Sequence, residues 1–410
     1  MNILTIFALS VLLIINWHLY KHFLSPAIIT NLVWLVIILI YNTTDHILYP
    51  LSDQFYLIVL IWTFGFSFAA ILPSKLKLSI PEVSSHIEKE KVFKFFLPVM
   101  IVCLIISIWG RIQIGRAYNS SNIFAGIYAH SVSSLNGDES IVHLPAYFSL
   151  AQEVCNYAIA VIGSLIFFRH KNSKPLIIAT VLLIIFTLFR SNKFSVCQLL
   201  FFFLTMKILT SGISKKTIII FISAFIILIL AAHIMRRNQN SSGEINIINM
   251  LSVYLLAPLP AFDYVINAPI NLIEDFNGEY TFRAFIPYLN MLGFDLVGNS
   301  DPFNLHFWSY TPLHINVYTI FFNFYVDFGI AGILFASLAY GVFFGFLWKG
   351  CVKKIPLFIV SYSAMSYILF FQFFADFLIS YFWANALPLI FFIMYFTHFS
   401  LTFNKHCRVS

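Results

Sequence analysis

Apolar runs of about 15 to 34 residues recur along most of this chain, and runs of that length leave a backbone few ways to fold. A hydrocarbon core of about 30 Å needs roughly 20 apolar residues to cross as a helix. Buried in lipid, every N–H and C=O must be paired within the protein, which confines spanning segments to helices or closed barrels. Unbroken apolarity, without period-two alternation, selects helices. With 60% of the 410 residues hydrophobic and 10% charged, the expected fold is all-α: a polytopic integral membrane protein forming a single transmembrane domain over 1–410. Eleven spans are read, within a range of ten to twelve: about 2–20, 26–42, 54–73, 95–115, 146–168, 175–189, 194–210, 217–234, 315–348, 356–376 and 384–403. The ninth is over-long and therefore tilted or broken.

Lysine sets the orientation. Alternate connections carry Lys21; Lys75, Lys77, Lys89, Lys91 and Lys94; Arg169, Lys171 and Lys174; Lys207, Lys215 and Lys216; Lys349, Lys353 and Lys354; and Lys405 with Arg408. These mark the cytoplasmic side. Only Glu82, Glu88 and Glu90 among the acids share it, an agreement the acids provide independently. The amino terminus is expected outside and the carboxyl terminus inside, with the first span retained because no cationic n-region or small-residue cleavage site flanks it. The net charge of +7 then reflects inner-leaflet lysines facing anionic lipid, not nucleic acid. Cys103, Cys155, Cys197, Cys351 and Cys407 lie in spans or on the cytoplasmic side, so packing roles and no disulfide are expected.

Two excursions remain outside. The first, 116–145, is Ser/Asn/Gly-rich and reads as a flexible loop. The second, 235–314, is far longer than ordinary connections and too aromatic for disorder. Within it, 245–257 and 282–296 read as short apolar helices lying on the membrane surface.

Arginine departs from lysine: Arg111, Arg116, Arg190, Arg236, Arg237 and Arg283, six of the chain's eight, fall on the outer side. A planar guanidinium grips phosphate oxygens bidentately. Arg190 stands in the tight turn Phe189-Arg190-Ser191-Asn192-Lys193, immediately before a helix amino terminus, which also favours anions. A plain polar hairpin at headgroup level is the alternative there. Snorkelling is the alternative for Arg111, Arg116, Arg236 and Arg237, and solvent exposure for Arg283. Asp263, a lone acid in an apolar setting, suits either proton transfer or helix capping. From His314 to Gly332 the chain places His314, Asn316, Tyr318, Thr319, Asn323 and Asp327 at the mouth of an apolar helix. An intramembrane Asp327 requires a partner or a watered cavity, and Gly329 and Gly332 permit a break or close helix packing. No Asp-x-Asp or His-Glu-x-x-His pattern occurs on the outer side, so no metal ligands and no cofactor are expected.

The block Asn316-Val-Tyr-Thr through Asp327-Phe-Gly329, the Phe189-Arg190-Ser191 turn, and Tyr254-Leu-Leu-Ala-Pro258 with Phe262-Asp263 resemble the bacterial oligosaccharide repeat unit polymerases, the O-antigen polymerases of the Wzy type. The resemblance extends to the architecture of the whole chain, with its long late outer loop. It implies a GT-C-like membrane glycosyltransferase in the bacterial inner membrane, its active site facing the periplasm. A glycan chain on undecaprenyl pyrophosphate would pass to a new lipid-linked repeat, with a chain-length regulator (polysaccharide co-polymerase) and a flippase as partners beside membrane lipid. In that reaction Arg190 and Arg283 would hold pyrophosphate, with Arg111, Arg116, Arg236 and Arg237 in support and Asn316 and Tyr318 on the glycan. His314, Asp327 and Asp263, in that order, are the candidate bases.

The rivals are an O-antigen ligase, which shares spans, loop and donor; a lipid-linked oligosaccharide flippase or other transporter, which should carry polar groups at midplane in several spans; and a surface acyltransferase, for which His18 and His22 lack an acidic partner.

Overall fold

The computed structural model describes residues 1–75, 89–119, 121–136, 145–156, 158–168, 174–190, 193–217, 219–224, 255–267, 278–294, 309–312, 314–315, 317–380, 382 and 385. Apart from one two-residue hairpin the described secondary structure is helical, and five helices are long and apolar enough to cross a membrane. The chain divides into two compact units, one made of 1–80, 244–354 and 368–386, the other of 81–243, 355–367 and 387–410.

In the first unit, α1 (Asn2–Tyr20), α2 (Pro26–Thr43) and α3 (Asp53–Lys75) pack together. α1 stops at Lys21, which turns left-handed and returns its N–H to the Trp17 carbonyl. Pro26 opens α2 at a position where a missing N–H costs nothing. Later come α10 (Pro258–Asn267), the short α11 (Glu279–Phe282) and α12 (Ile286–Met291), the strands β1 (Ser309–Tyr310) and β2 (His314–Ile315), and the long α13 (Phe322–Val352). The strands pair antiparallel, Tyr310 opposite His314.

α3 and α13 form the spine of this unit, and small residues explain how closely they approach. A side chain at Gly341 would stand 2.7 Å from Ala69 Cβ, and one at Gly345 would stand 2.9 Å from Ala70 Cα. Small residues four apart let two backbones touch, which is how apolar helices associate without a hydrophobic drive. Residue numbers rise together along the contact, so the two helices run parallel; Lys349 Nζ extends it by donating to the Pro73 carbonyl at 2.8 Å. At this end the His22 ring also lies tilted against Trp348, ring centres 5.0 Å apart. At the other end the amino-terminal ammonium pairs with Asp53 at 3.1 Å and Asn2 donates to Asn42 at 3.2 Å. One end of the unit therefore carries Lys75, Lys349, Lys353 and Lys354, and the opposite end carries Asp53.

Between them lies an aromatic core of Trp34, Trp62, Phe55, Phe66, Phe262, Phe321 and Phe344, all fully buried. Trp34 stacks on Phe321 with centres 4.7 Å apart.

Three expectations change. The span read over 315–348 starts later, at Phe322; it breaks, as the over-long reading allowed, at Gly329, whose φ of 60° and ψ of −147° suit glycine alone. The span read over 356–376 is α14 (Pro356–Phe370), after which 371–380 is irregular. Gln372 explains the interruption: its Oε1 accepts from both Trp34 Nε1 (3.2 Å) and Trp62 Nε1 (2.8 Å), Nε2 donates to Thr30 Oγ1 (2.9 Å), and its carbonyl accepts Ile320 N–H (2.8 Å). Two buried indole N–H groups left without that acceptor would each cost about 1–3 kcal/mol.

The third change is in the second unit, where α4 (Lys89–Tyr118) packs on α5 (Ile123–Asn136), α6 (Ala146–Asn156), α7 (Ala158–Phe168) and α8 (Lys174–Phe189), and α9 (Lys193–Ser211) packs on α7 and α8. Much of the excursion read as flexible is helix α5. Asn119 Oδ1 accepts from Ser121 N (3.1 Å) and Asn122 N (3.0 Å), and Asn122 Oδ1 caps the helix by accepting Ala125 N–H at 3.1 Å. The same polar residues that suggested a loop are its turn and cap. The span read over 146–168 is described as two successive helices, α6 and α7. The eighth and eleventh spans, at 217–234 and 384–403, lie largely outside the described residues, as does most of the apolar stretch 245–257.

Candidate functional site

The second unit brings together Arg111 and Arg190, two of the six arginines read from the sequence as outward. Arg190 follows the last residue of α8, its N–H closing the helix on the Phe186 carbonyl at 3.0 Å. Its guanidinium carbon lies 5.9 Å from the Phe186 ring centre, a cation–π contact that holds the fork in place. Arg111, half-buried on the packed face of α4, lies within electrostatic range of Arg190. Its Nε is buried and has no hydrogen-bond partner. Two like charges brought together in a poorly hydrated place oppose folding. An anion beside Arg111 would supply an acceptor for its Nε. Arg116, five residues further along α4, is exposed.

The first unit gathers the carboxylates. Asp263, buried on α10, accepts Ser52 N–H on Oδ2 at 3.1 Å and the Ser52 hydroxyl on Oδ1. Burial pushes its carboxyl above the ordinary carboxylate value, outweighing the opposing effect of the Ser52 bonds. These bonds tie α10 to the start of α3. Asp327, buried on α13, accepts Tyr280 N–H at 3.3 Å and Thr281 N–H at 2.6 Å, capping α11 across the fold. Asp327 thus binds backbone of the long 235–314 segment, while Asp263, within that segment, binds the backbone of Ser52.

A third acid, which sequence reasoning passed over, does the same for the interrupted helix. Asp376 Oδ1 accepts the Tyr340 hydroxyl at 2.5 Å and the N–H groups of Leu378 (3.0 Å) and Ile379 (3.2 Å), while Oδ2 accepts from Asn323 Nδ2 (3.4 Å) and Ser380 N (3.3 Å). Its signal was legible: Gln372 and Asp376 are polar residues inside an apolar run, and such residues demand partners. Glu279, also buried, was missed as well; it stands in the first turn of α11, the helix that Asp327 caps.

Arg283 is half-buried one residue beyond α11. Tyr318 is buried, stacked on Phe322 with ring centres 4.2 Å apart. The backbone of His314 is in β2. Arg236, Arg237 and Asn316 lie outside the described residues.

The chain matches no protein-family model, no curated protein and no solved structure.

Proposed function

We propose that this protein is a bacterial inner-membrane glycosyltransferase that polymerises undecaprenyl-pyrophosphate-linked oligosaccharide repeats into O-antigen or a related surface polysaccharide, on a GT-C-like scaffold. The observation that carries the reading is the approach of Arg111 to Arg190, a half-buried pair of like charges with an unsatisfied Nε. That arrangement suits an anion carrying several oxygens, and a pyrophosphate leaving group is such an anion. In the reaction the acceptor hydroxyl of a new repeat attacks the anomeric carbon of the growing chain. The bond from that carbon to the pyrophosphate oxygen breaks, and undecaprenyl pyrophosphate departs with its charge held by arginine. The proton of the attacking hydroxyl goes to a base, His314 being the first candidate. Asp263 and Asp327, already engaged by backbone N–H groups, follow it.

Replacing Arg190 by Lys keeps the charge and removes the fork. Since one transition-state donor is worth roughly 100- to 1000-fold in rate, the Arg190→Lys host is expected to lose its lipopolysaccharide ladder with protein level unchanged. A normal ladder would sink the assignment. Deleting the gene is expected to leave core bearing a single repeat. Core without any repeat would move the reading to a ligase or a flippase.

A further inference from the structure

The segment after α11, part of the stretch 282–296 read from the sequence as a surface helix, takes no part in the catalytic and anion-binding roles above. From Ala284 to Phe294 the chain reads AFIPYLNMLGF, without a charge. Met291 is 84% exposed, Leu292 76%, Phe294 54% and Tyr288 49%. This display is built rather than frayed. Gly293 N–H returns to the Asn290 carbonyl at 3.0 Å and Phe294 N–H to the Leu289 carbonyl at 3.1 Å. Gly293 takes a φ of 94°, which closes a helix end in the way glycine permits. The closed turn aims three large apolar side chains away from the protein.

What they face follows from where the segment is rooted. Phe282, itself 45% exposed, packs edge-on against Phe328 with ring centres 6.3 Å apart. Phe328 begins the exposed apolar stripe of α13 that continues through Ile330, Leu334 and Phe335. On a membrane span such a stripe faces lipid. Phe328 is also six residues inside α13, about 9 Å along its axis at 1.5 Å per residue. The capping of α11 by Asp327, the preceding residue, fastens the loop at that same level. The loop is therefore moored on the wall of the bundle beside the outer two turns of α13, not above them. Its apolar tip continues the exposed stripe sideways, and the half-buried Arg283 stands at its root.

We propose that residues 286–294 form a monotopic wedge whose occupant is bilayer lipid, inserted at the headgroup–acyl boundary of the leaflet that α13 enters, the depth at which amphipathic segments settle. The wedge rests on membrane embedding alone and does not depend on glycosyl transfer.

The test uses the full-length, unmutated protein in nanodiscs of phosphatidylethanolamine and phosphatidylglycerol. Phosphatidylglycerol bearing a photoactivatable group on its acyl chain is expected to leave adducts on 286–294, as on the exposed face of α1 at Phe7 and Ile14. Hydroxyl-radical footprinting is expected to oxidise Met291 several-fold more slowly than the same methionine in the denatured chain. Absence of lipid adducts, or oxidation of Met291 at the denatured rate, overturns the proposal. Protection accompanied by cross-links from this segment to a second copy, without lipid adducts, also overturns it by assigning the surface to self-association.

Discussion

Three buried aspartates and one buried glutamine show how a mostly apolar chain uses its few polar residues. Asp263, Asp327 and Asp376 each accept N–H groups from backbone that would otherwise lie unpaired in a greasy environment. Their partners are irregular or short segments, which cannot satisfy themselves as a long helix does. Asp263, outside the spans, gives this a pH signature. Its carboxyl lies above the ordinary value of 3.8 because burial disfavours the charge. A raised acid binds its proton more tightly folded than unfolded. The stabilisation it contributes is therefore present below pH 3.8 and lost as pH rises through the folded value. The melting temperature of the detergent-solubilised protein, measured against Asp263→Asn, is expected to fall across that window; a constant difference would contradict the assignment. Position and residue type made Arg111 and Arg190 legible as candidates. That they share one unit and approach each other was not legible, because no local pattern joins the last third of α4 to the end of α8. Asp376 was legible as a buried acid, and its partners Tyr340 and Asn323 were not.

At the scale of elements, hydropathy found apolar helices, five of them long enough to cross a membrane, and missed the irregular backbone at 371–380. An average over some twenty residues cannot resolve ten residues of irregular backbone when these are themselves rich in phenylalanine, as 371–380 is. The break in α13 is different, since a glycine at 329 within an over-long span announced it. At a φ of 60° and ψ of −147° a β-carbon strains the backbone even though the space beside Gly329 is open. Gly329→Ala is expected to cost about 1–3 kcal/mol, read as a lowered melting temperature in detergent; an unchanged midpoint would mean the break tolerates any residue. Helix α5 was missed for the opposite reason. Asn and Ser clusters mark loops in general and caps in particular, and only the N–H groups that meet Asn119 and Asn122 distinguish the two.

Within the first unit, the parallel contact of α3 with α13 puts Lys75, Lys349, Lys353 and Lys354 at one end and the amino terminus with Asp53 at the other. This segregation has a direct test. A membrane-impermeant amine reagent is expected to modify exposed Lys75, Lys353 and Lys354 in inverted vesicles but not in spheroplasts. The reverse pattern would invert the topology and with it the proposed site. Membrane embedding and helical class were written in the sequence, since apolar length and backbone pairing in lipid depend on composition alone. The segregation of arginine from lysine along the chain was written there too, because charge bias acts segment by segment. Which arginines approach one another, where a span breaks, and which backbone each buried carboxylate caps came from tertiary structure. Those outcomes depend on contacts between residues far apart in the chain, such as Gln372 with Trp34 and Trp62, and on small residues that let α3 and α13 touch.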